Sequence, residues 1–502
     1  MPGVGASLRL LTEIDGKFLF TTSGHERFVN SGLVQIPNGA AKTPLPVWGM
    51  QLDRLRQTLQ EFPWRWSLHW LVAPCLVPVI FWPQGGPSMW RAIITCGFLG
   101  LSLAQMPWPW LKRIAAVCLT GLMAVAFIMM NFNLDTYTSD QLPYFIRESK
   151  WYASTEYLMV GVLVVVGLWL AFTHAPSVPR FKALNQWGMG ILAVLCLAGF
   201  DTFAAGASLG SYGRQPADDQ PFQSAVHDTG FGAPGHGRHN VVLVLVESLG
   251  VPMFAEGQAQ FAADWDRPEW RARYAVSQGT VPYFGSTTHA EMRELCGQWN
   301  NYTTFDFEKG GCLPQRMKMA GYQTTAMHAF DGGFFQRDEW WSKLDFQKEM
   351  FGPELAQAGV RSCGGVFPGA CDTDIPAVIA KRIKQSSQPQ FVYWLTLNSH
   401  LPVLPDESLG TDQCSKAMAR IGDVSPRLCR LFTVHHNLAQ AISKMAMDPN
   451  LPPTDILIVG DHTPPFFDHS LRAGFDSENV PWVLLRAQDK AAPKQPQTTQ
   501  LR

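Results

Sequence analysis

Five residues far apart in the chain are of the types that hold a divalent cation and move a phosphoryl group. Glu247 ends the apolar run in "HNVVLVLVESLG", Asp461 and His462 follow "DILIV" in "GDH", and His400 closes "YWLTLNSH". A carboxylate at the edge of an apolar run is costly unless a partner or a metal shares its charge. Two carboxylates and an imidazole form a donor set that suits Zn²⁺ or Mn²⁺. The fifth residue is a hydroxyl. In "YFGSTTHAEMRELCG", Thr287 and Thr288 follow a glycine and precede a helix expected to begin near Ala290. Backbone N–H groups at a helix N-terminus suit a phosphate, and a cation beside the hydroxyl would make it a nucleophile. Each piece also has a plainer reading. A lone Asp-His after a strand is commonly a cap, and Thr288 with Glu291 could form a capping box.

The elements that must bring these residues together are short strands. Apolar runs at 241–246, 323–329, 391–397, 455–460 and 481–486 alternate with helical stretches such as 312–321 and 374–385, the pattern of an α/β fold. Uninterrupted apolar runs belong to strands covered on both faces. Glu247, His400 and Asp461 then all follow strands at one end of a sheet, where open parallel sheets bind ligands.

The first ~205 residues are of another kind. The mean hydropathy of -0.02 averages two unlike parts. Five apolar runs, at 67–83, 92–109, 113–131, 157–174 and 187–205, each have about the length needed to cross a ~30 Å hydrocarbon core. Trp and Tyr crowd their ends, as in "FPWRWSLHW" and "MPWPWLK". Arg54, Arg56, Arg65, Lys112, Arg113, Arg180 and Lys182 fall in alternate loops. That bias puts the N-terminus in the cytoplasm and everything after ~206 outside. Met1 to Gly16 lacks the apolar core of a cleavable signal.

The division expected is a cytoplasmic segment at 1–60, a five-helix membrane domain at 61–205, an irregular linker at 206–238, an α/β domain at 239–490 and a disordered tail at 491–502. A net charge of -1 gives no reason to expect nucleic acid as a partner. Four of the ten cysteines lie in the apolar runs. The other six, Cys296, Cys312, Cys363, Cys371, Cys414 and Cys429, lie in the α/β part. An even number in three sequence-near pairs suggests three bridges in an oxidising compartment. The pairing 296–312, 363–371 and 414–429 is one of many that six cysteines allow.

Taken in order, "VESLG", "GSTTHAE", "LPQRMKMAGYQTTAMHAFDGGFFQRDEWWSKLDF", "LNSHLP" and "GDHTPPFFDH" resemble the alkaline-phosphatase superfamily. Within it they are similar to the lipoteichoic acid synthase-like phosphoglycerol transferases and to the phosphoethanolamine transferases. The resemblance implies five membrane helices followed by an extracytoplasmic α/β domain of the sulfatase and alkaline-phosphatase kind. It implies Glu247, Thr287, Asp461 and His462 as ligands of one Zn or Mn ion, with Thr287 as nucleophile and His400 steadying the phosphoryl or leaving group. His328, Phe335, Arg337 and His469 would bind the substrate, although Phe335 stands where the phosphoglycerol enzymes have Trp. Arg337 could instead pair with Asp338 or another acid, and His469 could be a solvated loop residue.

The implied reaction moves a phosphoglycerol or phosphoethanolamine head group from a membrane phospholipid, through a phospho-threonine, to a glycan acceptor of the cell envelope. The setting would be a bacterial inner membrane with the catalytic domain in the periplasm, in contact with a polysaccharide synthase or export complex. The alternatives are a phosphate or sulfate ester hydrolase and a non-catalytic scaffold of such a complex. A sulfatase would need a Cys or Ser in C/S-x-P-x-R, which "STTHAEMR" does not contain.

Overall fold

The computed structural model describes residues 10–14, 17–20, 56–84, 86–131, 141–206, 214–233, 239–414 and 418–488. The tail expected at 491–502 and most of the segment 1–60 lie outside these. Residues up to Gln60 form a unit of their own, in which Leu10–Ile14 and Lys17–Phe20 pair as an antiparallel hairpin. Glu61–Arg502 form the second unit, which holds both the apolar helices and the α/β domain.

Among the described residues three helices, not five, are long and apolar enough to cross a membrane: Pro109–Asn131, Thr155–Ser177 and Leu184–Ala205. The expectation of five is corrected at its first two runs. The run at 67–83 is broken into a π-helical turn Ser67–Val72, a turn containing Pro74, and a helix of only six residues, Leu76–Phe81. Proline removes an N–H donor and clashes with the preceding turn, so apolar composition there does not become one rod. The second run forms helix α1 (Trp90–Leu103), 14 residues long. At 1.5 Å per residue that is about 21 Å, short of a ~30 Å core, and Pro107 and Pro109 follow its end. The three long helices are α2 (Pro109–Asn131), α4 (Thr155–His174, continued by a 3₁₀ turn) and α5 (Leu184–Gly206), with a short amphipathic helix α3 (Gln141–Glu148) between the first two.

One end of this bundle is basic. Lys112 Nζ donates to the carbonyl of Val178 and Arg113 Nε to that of Phe172. Helix α3 and the residues after it dock on the α/β domain. There Phe145 of α3 enters the apolar core, packing on Phe367, and Lys150 N–H donates to the carbonyl of Val366.

The α/β domain is built on a seven-stranded sheet: β1 (Asn240–Val246), β2 (Tyr274–Pro282), β3 (Gln323–His328), β4 (Lys348–Met350), β5 (Gln390–Leu395), β6 (Thr454–Gly460) and β7 (Asn479–Ala487), in the order β2-β7-β6-β1-β5-β3-β4. Pairing is parallel from β6 through β4; β7 and β2 join antiparallel at the other edge. Strand β1 is apolar throughout because both its faces are covered. Val242, Val244 and Val246 pack with Trp394 and Ile379, whereas Val241, Leu243 and Leu245 pack with Tyr393 and Leu313. In the register of β1, Val246 stands beside Gly460 and Leu245 beside Leu395. The chain therefore leaves three adjacent strands at the same edge, with Glu247, Asp461 and Thr396 as the next residues.

The bridges Cys296–Cys312, Cys363–Cys371 and Cys414–Cys429 are all formed. Closing a loop of the size of the first, a sequence separation of 16, stabilises by about 3 kcal/mol. The stretch expected as an irregular linker contains the helix Ala225–Thr229, whose buried Ala225 and Val226 sit against the domain.

Candidate active site

Thr287 is the first residue of helix α6 (Thr287–Cys296), and Ser286 precedes it as N-cap without a side-chain capping bond. Gly285 has φ +71, and a Cβ there would lie 2.5 Å from the His289 ring, so glycine is needed to turn the chain into the helix. The capping-box alternative does not hold. Thr288 lies inside the helix, and the Glu291 carboxylate is taken up by Arg337, Trp341 and Tyr393.

The Thr287 hydroxyl meets the strand ends. Its Oγ1 is 3.2 Å from Glu247 Oε2, 2.9 Å from Asp461 Oδ2 and 3.3 Å from His462 Nε2. One ligand atom from each of Glu247, Asp461 and His462 lies within 4.8 Å of the others, and all three residues are buried. The contact of His462 Nδ1 with the Thr463 carbonyl, at 3.0 Å, assigns the ring proton to Nδ1, since a carbonyl only accepts. Nε2 therefore turns a lone pair toward Asp461 Oδ2 at 3.2 Å and Glu247 Oε1 at 3.5 Å.

Charge balance shows what this arrangement would accept. Burial pushes Glu247 up, but His400, His462 and the bonds from Ser248 and Asp461 outweigh it and hold the carboxyl below its usual range. Burial, and then the charge of Glu247, push Asp461 well above the carboxylate range. Burial also lowers His462. Lone pairs thus converge on one point, and the neighbouring guanidinium is used elsewhere. Arg293 donates to the Gly460 and Asp461 carbonyls and to Glu294. A divalent cation fits this donor set in number and in kind, and the Nδ1–H bond is the outer support usual for a histidine ligand.

The supports themselves were not visible as a motif. Glu247 N–H donates to Thr396 Oγ1, and the Glu247 carbonyl accepts from Ser399 Oγ and from His435 Nε2. Ser248, at φ +56, donates its N–H to Asp461 Oδ1 and its hydroxyl to Glu247 Oε1. Asp372 accepts from the N–H groups of Leu397 and Asn398, fixing the loop that carries His400. Burial raises that carboxyl to about 7. The one available signal for Arg293 and Glu294, both buried, was a pair of charged residues within "AEMRELC", in the helix that begins at Thr287.

A cavity of about 740 Å³ opens above the cluster. Thr287, Phe335 and His400 line it, and it reaches Trp90 at the start of α1, Met130 near the end of α2 and Tyr157 at the start of α4. Three of the other expected substrate residues stand apart from its lining. His328, at the end of β3, is buried against the Leu395 carbonyl, and burial, then Arg337, lower it to about 3. Arg337 is buried on Glu291, with Nε and Nη2 both on Oε2 at 3.1 and 2.9 Å, rather than on Asp338. His469 starts a short helix, His469–Arg472, and is half-buried. Phe335 and Gln336 have φ of +57 and +53, two successive strained residues in the loop that borders the cavity.

A family described as Sulfatase matches residues 239–500. No curated protein matches. Similar solved structures include the lipoteichoic acid synthase LtaP from Listeria monocytogenes, 15% identical over 54% of this chain and 70% of that one, with a TM-score of 0.40. The lipooligosaccharide phosphoethanolamine transferase EptA from Neisseria meningitidis is 12% identical over 79% and 81%, with a TM-score of 0.42. The Streptococcus pyogenes phosphoglycerol transferase GacH is 14% identical over 50% and 69%, with a TM-score of 0.33.

Proposed function

Since the chain belongs to the sulfatase family, we propose that it is a multi-pass inner-membrane phosphotransferase whose periplasmic domain moves a phospholipid head group onto a glycan hydroxyl. The observation that carries this reading is the placing of Thr287 Oγ1 within 3.3 Å of three cation-ligand atoms, at the floor of a cavity that reaches the apolar helices. A water-soluble ester would not require that continuity. Hydrolysis by the formylglycine route needs a Cys or Ser where this chain has Thr287.

Glu247, Asp461, His462 and Thr287 would hold a divalent cation, Zn²⁺ or Mn²⁺, which when bound would supply positive charge that lowers the hydroxyl's pKa and stabilises the phosphoryl oxygens. Thr287 attacks the phosphodiester phosphorus, and its proton leaves to water in the cavity. The bond to the diacylglycerol oxygen breaks, leaving a phospho-threonine ester. His400, on the cavity wall, delivers a proton to the departing oxygen and later takes one from the acceptor hydroxyl. The acceptor then displaces Thr287 and carries off the head group. Phe335 packs against the head group. His328, His469 and Arg337 act from behind the wall. A synthase or export complex presenting the glycan is the natural partner.

Intact mass spectrometry of the full-length protein in detergent, with phosphatidylglycerol or phosphatidylethanolamine, tests the reading. An adduct of head-group mass on wild type but not on Thr287→Ala is expected. No adduct in metal-loaded protein would favour a hydrolase, and a protein that takes up no metal would favour a scaffold.

A further inference from the structure

The charges lining the cavity are unequal. Arg91, Arg427, Arg430 and Arg472 border it, and Glu156 is the single acidic residue among the described residues of its lining. Arg427 and Arg430 are three apart on the helix Pro426–Ala446 and so share a face. Arg430 Nε donates to the Val403 carbonyl at 2.6 Å, and Arg472 Nη1 to the Phe466 carbonyl at 2.6 Å. A carbonyl orients a guanidinium without cancelling its charge, and arginine stays protonated at any working pH.

Glu156 is already engaged. Its Oε1 lies 3.0 Å from Arg427 Nη2, and its Oε2 accepts from the hydroxyls of Ser154 and Thr155 at 3.0 Å each. An ammonium group entering this space would face several guanidinium groups and one occupied carboxylate. A head group bearing hydroxyls in place of the amine meets donors that its oxygens accept. Arg91, whose guanidinium stands 5.2 Å from the Trp90 ring centre at the start of α1, adds to the same field at the end nearest the apolar helices.

Resting on the head-group reading above, we propose that this cavity selects a phospholipid of net negative charge whose head group carries hydroxyls and no amine, with Arg427 and Arg430 as the residues that set the preference. The lipid's phosphodiester supplies the charge, and the uncharged polyol adds no repulsion. A zwitterionic ethanolamine lipid adds a cation to a cationic wall.

The test is competition. Full-length, metal-loaded protein in mixed micelles receives equal amounts of phosphatidylglycerol and phosphatidylethanolamine, and the mass of the Thr287 adduct and the diacylglycerol released are followed. The glycerol adduct is expected to exceed the other by roughly tenfold or more, the size of one charge-assisted contact. Arg430→Gln and Arg427→Gln should each raise KM for the anionic lipid by about tenfold and lower that for the zwitterionic lipid, whose ammonium then meets one guanidinium fewer. Arg430→Lys, which keeps the charge, should restore the preference, and Glu156→Gln should increase it. Equal use of the two lipids, or preference for ethanolamine, overturns this inference and leaves head-group transfer standing. Reaction with neither lipid overturns both.

Discussion

The strand-end cluster and the loop from His328 to Arg337 were both expected to form the site, but they are built in opposite ways. Glu247 and Asp461 are placed by sheet register: Val246 pairs with Gly460, so the acids leave neighbouring strands together and local supports fix them. The loop has no such frame. It turns through two positive-φ residues and is held by groups from elsewhere. Glu291 of α6 takes Arg337, Gln141 of α3 takes the Phe335 N–H at 2.8 Å, and the Tyr144 hydroxyl takes Asp331. A cluster fixed by register owes its chemistry to residue type. A loop held from outside owes it to partners that no motif contains.

The strand-end side of this comparison is broken most directly at its acids. Glu247→Gln and Asp461→Asn should each lower transfer by at least about 10⁴-fold, as loss of a member of a unit that acts together does. Both should fold. Without metal they should be at least as stable as wild type, because one of two adjacent buried carboxylates is gone. The checks are metal stoichiometry and the metal-dependent rise in Tm, which both variants should lose. A variant that binds metal normally and keeps full activity would remove that residue from the site.

On the loop side, Glu291→Gln should unfold or severely destabilise the protein, by about 3–5 kcal/mol, because the Arg337 guanidinium would remain buried without its carboxylate. Thermal melting and expression yield measure this. The double variant Glu291→Leu, Arg337→Met removes both charges and should recover most of the stability. If the double variant also transfers the head group at near wild-type rate, Arg337 is a strut of the loop. If it folds and is inactive, the guanidinium reaches substrate during turnover.

What was legible follows the same division. Glu247 and the Asp461–His462 pair were readable because each follows directly on an apolar strand, and a strand end leaves no freedom in where the next side chain starts; His400 follows β5 by five residues, on a loop that Asp372 fixes. Hydropathy overcounted the membrane helices because it averages composition and does not register the backbone break at Pro74 or the short reach of Trp90–Leu103. The edge strand β2 was missed because "YAVSQGTVP" is polar and only its ends are buried. The Arg337–Glu291 pair was invisible for a different reason: the partners lie 46 residues apart on separate elements. Residue type alone pairs Arg337 with either a substrate or an acid, and only the packing of α6 against the loop identifies which acid.

The smallest expected effect is the most specific to the way the loop is held. Gln141 is 4% exposed, and its Oε1 accepts from the N–H of Phe335, a residue at φ +57 on the cavity wall. Gln141→Leu leaves that N–H unsatisfied, a cost of about 1–3 kcal/mol, in a loop that already stores strain. The loop should relax and the head-group wall lose its shape. The expected result is a rise in KM for the lipid of roughly tenfold, with kcat within about threefold, since the metal cluster is fixed independently by the sheet. Gln141→Glu keeps an oxygen acceptor at the same place and should restore KM; a purely volumetric role would not separate the two substitutions. Equal KM values in all three proteins would mean that the loop keeps its shape without α3, and the contrast between register-held and partner-held parts would then fail at Phe335.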